Sequence, residues 1–168
     1  MNNRSTVKQT LAALCALLLS ALVIANVADA ANVKLISVAE REVVTTTADG
    51  VDVTEIVPAE SVIPGEEVIY TTYYNNTSDR IADKIVITNQ VPEHTRYKAN
   101  SAIGADTAIT YSVDGGKSFA APEELMVTGK NGEQRVARPS EYTHIRWAYE
   151  PVLPPGEKGS VQFRVVLR

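Results

Sequence analysis

The eight residues 161–168, VQFRVVLR, decide the fold class. Val161, Phe163, Val165 and Leu167 recur at every second position, with Gln162, Arg164 and Arg168 off that register. Only an extended strand separates those two sets, because successive side chains leave a strand on opposite faces. The spacing predicts one buried face and one wet face, the pattern of an antiparallel sheet covered on one side.

The same period runs upstream. HIRWAYE (144–150) sets Ile145, Trp147 and Tyr149 against His144, Arg146 and Ala148. EVIYTTYYNN (67–76) puts Val68, Tyr70, Thr72 and Tyr74 on one face. VKLISVAEREVV (33–44), VDVTEIV (51–57), KIVITNQV (84–91) and AITYSV (108–113) read as further strands, and RYKANSAI (96–103) as a weaker one. Pro58 and Pro92 close two of them, since proline cannot donate to a ladder. No helical face emerges after the first thirty residues. PEEL (122–125) and PSEY (139–142) each offer a single turn with proline in its favoured first position. About seven to nine short strands between turn clusters predict an all-β, antiparallel β-sandwich, with a small barrel as the alternative.

The first thirty residues read as a signal peptide. Arg4 and Lys8 precede a continuous apolar run, LAALCALLLSALVIA (11–25), and Ala28-Asp29-Ala30 supplies the small residues of a cleavage site. The run is short for a membrane span of roughly 20 residues. Cys15 lies in the middle of it and follows Leu14 rather than a small residue, so it is not a lipid attachment site. The chain from Ala31 onward then has no thiol and no disulfide, and its core must hold it together. Its formal charge is about −5, against −4 for the whole chain. An acidic chain without a basic run excludes nucleic acid and anionic membrane as expected partners. The expected location is periplasmic or extracellular, with no transmembrane anchor after cleavage.

Two stretches together resemble a known family. VIPGEEVIYTTYYNNTSDRIADKIVITNQVPEHTRYKANSA (62–102) and HIRWAYEPVLPPGEKGSVQFRVVLR (144–168) look like the conserved repeat domain, domain of unknown function eleven, of bacterial and archaeal surface proteins. The pieces are Pro64-Gly65, a strand from Val68 to Asn76, a strand from Ile85 to Val91 closed by Pro92, Tyr97 to Ser101, Ile145-Arg146-Trp147, Pro155-Gly156, and a strand from Val161 to Leu167. Asn89 stands where the family usually has Asp. The resemblance spans roughly residues 62–168 and is loosest over 104–142. It implies an immunoglobulin-like sandwich and a structural or interaction module without established catalysis, here in one copy. Its partners would be other envelope or surface proteins, or the chain itself. The Pro-Gly turns have their own physics: proline presets φ, and glycine takes the positive φ next to it. Asn75 and Asn76, in the turn cluster at the strand's other end, tolerate left-handed geometry.

The sharpest local motif is YSVDGGKSF (111–119). Ser112, Asp114, Gly116, Ser118 and Phe119 fall on the spacing of the Asp box repeated around sialidase propellers. A propeller needs several copies, and this chain has one. Asp114-Gly115-Gly116 is therefore read as a tight hairpin joining 108–113 to 117–119, with Asp114 holding the turn. Asp106, Asp114, Glu123 and Glu124 are the carboxylates that could gather Ca²⁺, although no D-x-[DN]-x-[DN]-G loop is present and solvated surface acids are the plainer reading. His94 and His144 lack zinc-ligand spacing, and no G-x-S-x-G occurs. The expectation is a protein with no catalytic residue and no cofactor. Trp147 and Phe163 are expected in the core between the sheets, and the tyrosines at 70, 73 and 74 in core and cross-strand pairs; a glycan-stacking Trp147 in a carbohydrate-binding module is the sharper alternative. Residues 31–60 precede the family-like region 61–168. They are read as the first strands of the same sandwich, or, over 33–57, as a donor strand completing a neighbour's sheet in a fibre.

Overall fold

The computed structural model describes residues 32–168. The expected signal peptide, residues 1–30, and Cys15 lie outside the described residues. The described chain is mostly short and long strands: β1 (Val33–Thr46), β2 (Asp52–Pro58), β3 (Glu67–Asn76), β4 (Val86–Gln90), β5 (Thr95–Tyr97), β6 (Ile103–Gly104), β7 (Thr107–Ser112), β8 (Met126–Thr128), β9 (Gln134–Val136), β10 (His144–Tyr149) and β11 (Lys158–Leu167). Every pairing is antiparallel. The larger sheet runs β2-β1-β3-β11-β5, with β6 also on β11; the smaller runs β4-β10-β7; β8 and β9 form a separate pair. The single-turn expectations at 122–125 and 139–142 are met by 3₁₀ turns over Pro122–Glu124 and Pro139–Glu141.

The strands exceed the expected number because of two- and three-residue pieces. RYKANSAI divides into β5 and β6, and the loose stretch before 142 holds β8 and β9. Asn100, with φ of 59°, turns the chain between β5 and β6.

The two sheets meet over a core that period two predicts. Ile145 and Trp147 of β10 and Val161, Phe163 and Val165 of β11 are all buried. Trp147 lies opposite Ile87 on one side and Ile109 on the other, and its ring reaches Phe163 at 6.1 Å between centroids. Tyr70 stacks on the same Phe163 at 5.3 Å. Burying a side chain such as Phe163 contributes about 2–3 kcal/mol.

A polar thread crosses this core. Asn89 of β4 donates Nδ2–H to Thr72 Oγ1 at 2.8 Å, and Thr72 exchanges a hydroxyl bond with Ser37 of β1 at 2.9 Å. Three strands from two sheets are thus registered through side chains, which an all-aliphatic interface would not fix so narrowly.

The Pro-Gly turns lie at opposite ends of the β3–β11 pair. Gly65 (φ 95°) donates to Leu167 O at the end of β11, and Leu167 N–H returns to Glu66 O. Gly156 (φ 78°) donates to Asn76 O at the end of β3, and Asn76 N–H returns to Glu157 O. Each turn that launches one of these strands closes on the end of the other.

Asn75 and Asn76 do not use the left-handed geometry they tolerate; among the described residues, those at positive φ besides glycine are Lys84, His94, Asn100 and Asp106. Asn76 works through its side chain instead. It is fully buried. Nδ2 donates to Arg80 O (2.6 Å) and Leu153 O (2.8 Å), and Oδ1 accepts from Ser78 N–H (3.1 Å) and Ser78 O–H (2.7 Å). That set uses the full capacity of a primary amide.

Candidate functional site

Asp114 makes a closed turn. Its Oδ1 accepts from Ser112 O–H (2.7 Å), Lys117 N–H (3.0 Å) and Ser118 N–H (3.0 Å), and its Oδ2 accepts from Ser118 O–H (2.6 Å). Ser112 Oγ accepts in turn from Gly116 N–H at 2.9 Å, with Gly115 and Gly116 both at positive φ. The bonds from Ser118, then Ser112 and Lys117, hold the carboxyl far below the usual carboxylate range. The return path differs from a tight hairpin onto 117–119. Residues 117–119 belong to the loop, and the chain rejoins β7 at one bridge, Tyr111 to Ala120. The Asp114 bonds shape a wider loop that a two-residue turn would have no room for. Beside it Arg146 lies 3.5 Å over the Phe119 ring, a cation–π contact. Asp114 is occupied in architecture on both oxygens.

Among the described residues no group of three or more His, Cys, Asp or Glu stands close enough to hold a metal ion. Asp106 is separate from the Asp114 loop and lines a different cleft, of about 720 Å³, with Tyr74, Tyr149, Lys158 and Gln162. Glu123 and Glu124 are exposed on their 3₁₀ turn.

Trp147 has no exposed surface, so it offers no platform to a sugar. Among the three tyrosines, Tyr70 stacks on Phe163 and buried Tyr74 tilts against Tyr149 at 5.7 Å. Tyr73 departs from the core expectation: it points out of the larger sheet and is 49% exposed. Alternation with Tyr74 required that, and the sequence signal was present.

The structure also assembles groups that spacing did not connect. Tyr97, Tyr111 and Tyr142 form a ring cluster with centroids 4.7–5.7 Å apart. Burial and the Tyr97 hydroxyl bond push the Tyr111 phenol well above its usual range. His94 and His144 line one cleft of about 580 Å³ with Glu93, Glu141 and Arg168. Glu141 accepts from both terminal nitrogens of Arg135, at 2.6 and 2.8 Å, and from Arg138 N–H, which lower its pKa to about 2.

The β1–β2 ribbon is an exposed apolar feature. β1 pairs with β3 of its own chain only from Val33 to Glu40, and with β2 from Glu40 to Thr46. Beyond Glu40, no strand among the described residues pairs with β1 on its β3 side. Val44 and Ile56 on one face and Val53 on the other are exposed. Arg164 on Glu42 (2.6 Å) and Arg41 on Glu66 (3.5 Å) pin its base. A two-stranded ribbon is marginal alone in water, and bare edges are templates for pairing.

Comparison with protein-family profiles, with curated proteins and with solved structures returns no match. The fold and these surfaces define the class: an all-β protein of packed antiparallel sheets.

Proposed function

We propose that this protein is an exported, non-enzymatic structural or interaction module of the cell envelope or extracellular matrix, of the conserved repeat domain type. The observation that carries the reading is the β1–β2 ribbon, a paired but half-covered extension with Val44, Val53 and Ile56 in water. Burying such side chains against a partner is favourable by roughly 25 cal/mol per Å². The ordered Pro64-Gly65 and Pro155-Gly156 turns support the family type, and the charged start and apolar run before Ala31 support export. Its partner is another envelope protein.

A photo-crosslinking side chain at Val44 in the expressing cell tests this. The expected result is capture of a discrete envelope protein, with little capture from a control position at Glu124 on another face. Equal capture at both, or none at Val44, sinks the proposal.

The second reading is a self-assembling subunit. The edge of β1 beyond Glu40 and the outer edge of β2, both without a partner strand among the described residues, favour it. Capture of a second copy at Val44, together with filaments in negative stain, selects it over the first. A Val44→Lys, Ile56→Lys double variant should then stay folded and lose the filaments.

A further inference from the structure

Near the start of β1, the outer face of the larger sheet carries an open cleft of about 310 Å³. Lys34 and Ile36 come to it from β1, Tyr73 and Asn75 from β3, and Lys158 from β11. The register explains this company. Lys34 lies opposite Asn75, which lies opposite Lys158; Ile36 lies opposite Tyr73. One row therefore sets two ammonium groups on either side of an amide. The next row sets an isoleucine beside a tyrosine ring.

The chemistry is unusual for this molecule. Among the described residues no carboxylate lines the cleft, in a chain with Lys+Arg 16 against Asp+Glu 20. Among the described residues neither lysine holds an ion pair. Ile36 and Tyr73 leave half of their surface in water, at 51% and 49%. Asn75 Oδ1 is buried with no hydrogen-bond partner among the described residues. A buried acceptor without a donor is costly, and rotating it toward the cleft breaks no existing bond.

The geometry points to a binding site for an acidic saccharide, a chain containing uronic acid. The C–H face of a sugar ring rests on Tyr73 and Ile36, its carboxylate lies between Lys34 and Lys158, and a hydroxyl donates to Asn75 Oδ1. The cleft is at the small end of ligand pockets, which run from roughly 300 Å³ upward, and suits one or two sugar rings. A neutral sugar would leave both ammonium groups without countercharge. A peptide carboxylate would leave the tyrosine face and the amide unused. The inference rests on the interaction-module reading, since the pair of carboxylates that glycoside hydrolysis requires does not line the cleft.

Calorimetric titration of the purified protein at low salt tests it, with three probes: an oligogalacturonide, an uncharged galacto-oligosaccharide and poly-glutamate. The Lys34→Gln, Lys158→Gln double variant and Tyr73→Ala are titrated alongside. The acidic oligosaccharide alone should bind. Its affinity should fall about tenfold or more in either variant with the urea midpoint unchanged, and added salt should weaken it. Equal binding of poly-glutamate or of the uncharged oligosaccharide overturns the assignment. So does binding that survives both variants, or no binding of any probe. None of these outcomes bears on crosslinking at Val44. Cleavage of the oligosaccharide would overturn the assignment and the non-enzymatic reading together.

Discussion

Replacing Asn76 with alanine should be among the most damaging single changes in this protein. The side chain is fully buried and makes four hydrogen bonds that tie the end of β3 to the 78–80 loop and to Leu153. A buried hydrogen bond contributes about 1 kcal/mol net, and an abandoned partner costs more. Two of the four partners are cushioned. Leu153 O also accepts from Ala82 N–H at 3.0 Å, and the Ser78 hydroxyl, once released from Asn76 Oδ1, has Arg80 O within reach of its one proton at 3.0 Å. The expected loss is therefore about 3 kcal/mol rather than the larger figure that four abandoned groups would give. Urea unfolding followed by fluorescence of Trp147, the single tryptophan, reads it directly. With a urea slope of roughly 2 kcal/mol/M, the midpoint should fall by about 1.5 M with the slope unchanged. Asn76→Asp separates bonding from volume. It keeps the shape but turns a carboxylate toward two carbonyls, so at neutral pH it should be at least as damaging as alanine. Its folded pKa is then raised, and the variant should recover stability as pH falls. A midpoint shift below about 0.5 M for Asn76→Ala, or an Asp variant as stable as wild type at pH 7, would refute the reasoning.

Acid should weaken the fold through two surface carboxyls. Asp114 and Glu141 have folded pKa values below the unfolded value of roughly 4, lowered by Ser118 and by Arg135 respectively. The stability they contribute is present above that unfolded value and is lost as pH falls through about 2 for Glu141, and lower still for Asp114. The urea midpoint should slide downward below pH 4, and an Asp114→Asn, Glu141→Gln variant should show a flatter profile there; Glu42, lowered by Arg164, leaves it some slope. An unchanged slope in that variant contradicts the assignment. Gly159→Ala should destabilise by about 1–3 kcal/mol, because the new methyl would run into the phenol end of the buried Tyr74 ring. A urea midpoint equal to that of the wild type would show that the ring can move aside.

The larger strands were legible because their cause is local. VQFRVVLR and HIRWAYE sort their side chains by parity, and the buried set in β10 and β11 is the set that parity picks out. The two prolines at 122 and 139 likewise start the turns their fixed φ suits. The Asp114 loop was half legible. Its carboxylate faces neighbours two to four residues away, but the point where the chain rejoins β7 depends on packing beyond the motif. Asn76 was misread from its type: a turn-forming residue was expected, and a buried amide was found, because Leu153 arrives from 77 residues away.

What the sequence by itself determined is the class of element, the inward set of each long strand and the places where the chain turns. Period two and the fixed φ of proline act within a few residues, so no partner is needed to express them. What only the tertiary structure decided is which strands are neighbours, and in what register. That choice sets Asn89 against Thr72 and Ser37, gathers Tyr97, Tyr111 and Tyr142, and places Lys34, Asn75 and Lys158 in one row across three strands. A strand's own alternation is blind to these juxtapositions. Sliding a strand by two residues keeps every side chain on its face and changes every neighbour, and only the packing of the whole sandwich chooses among those registers.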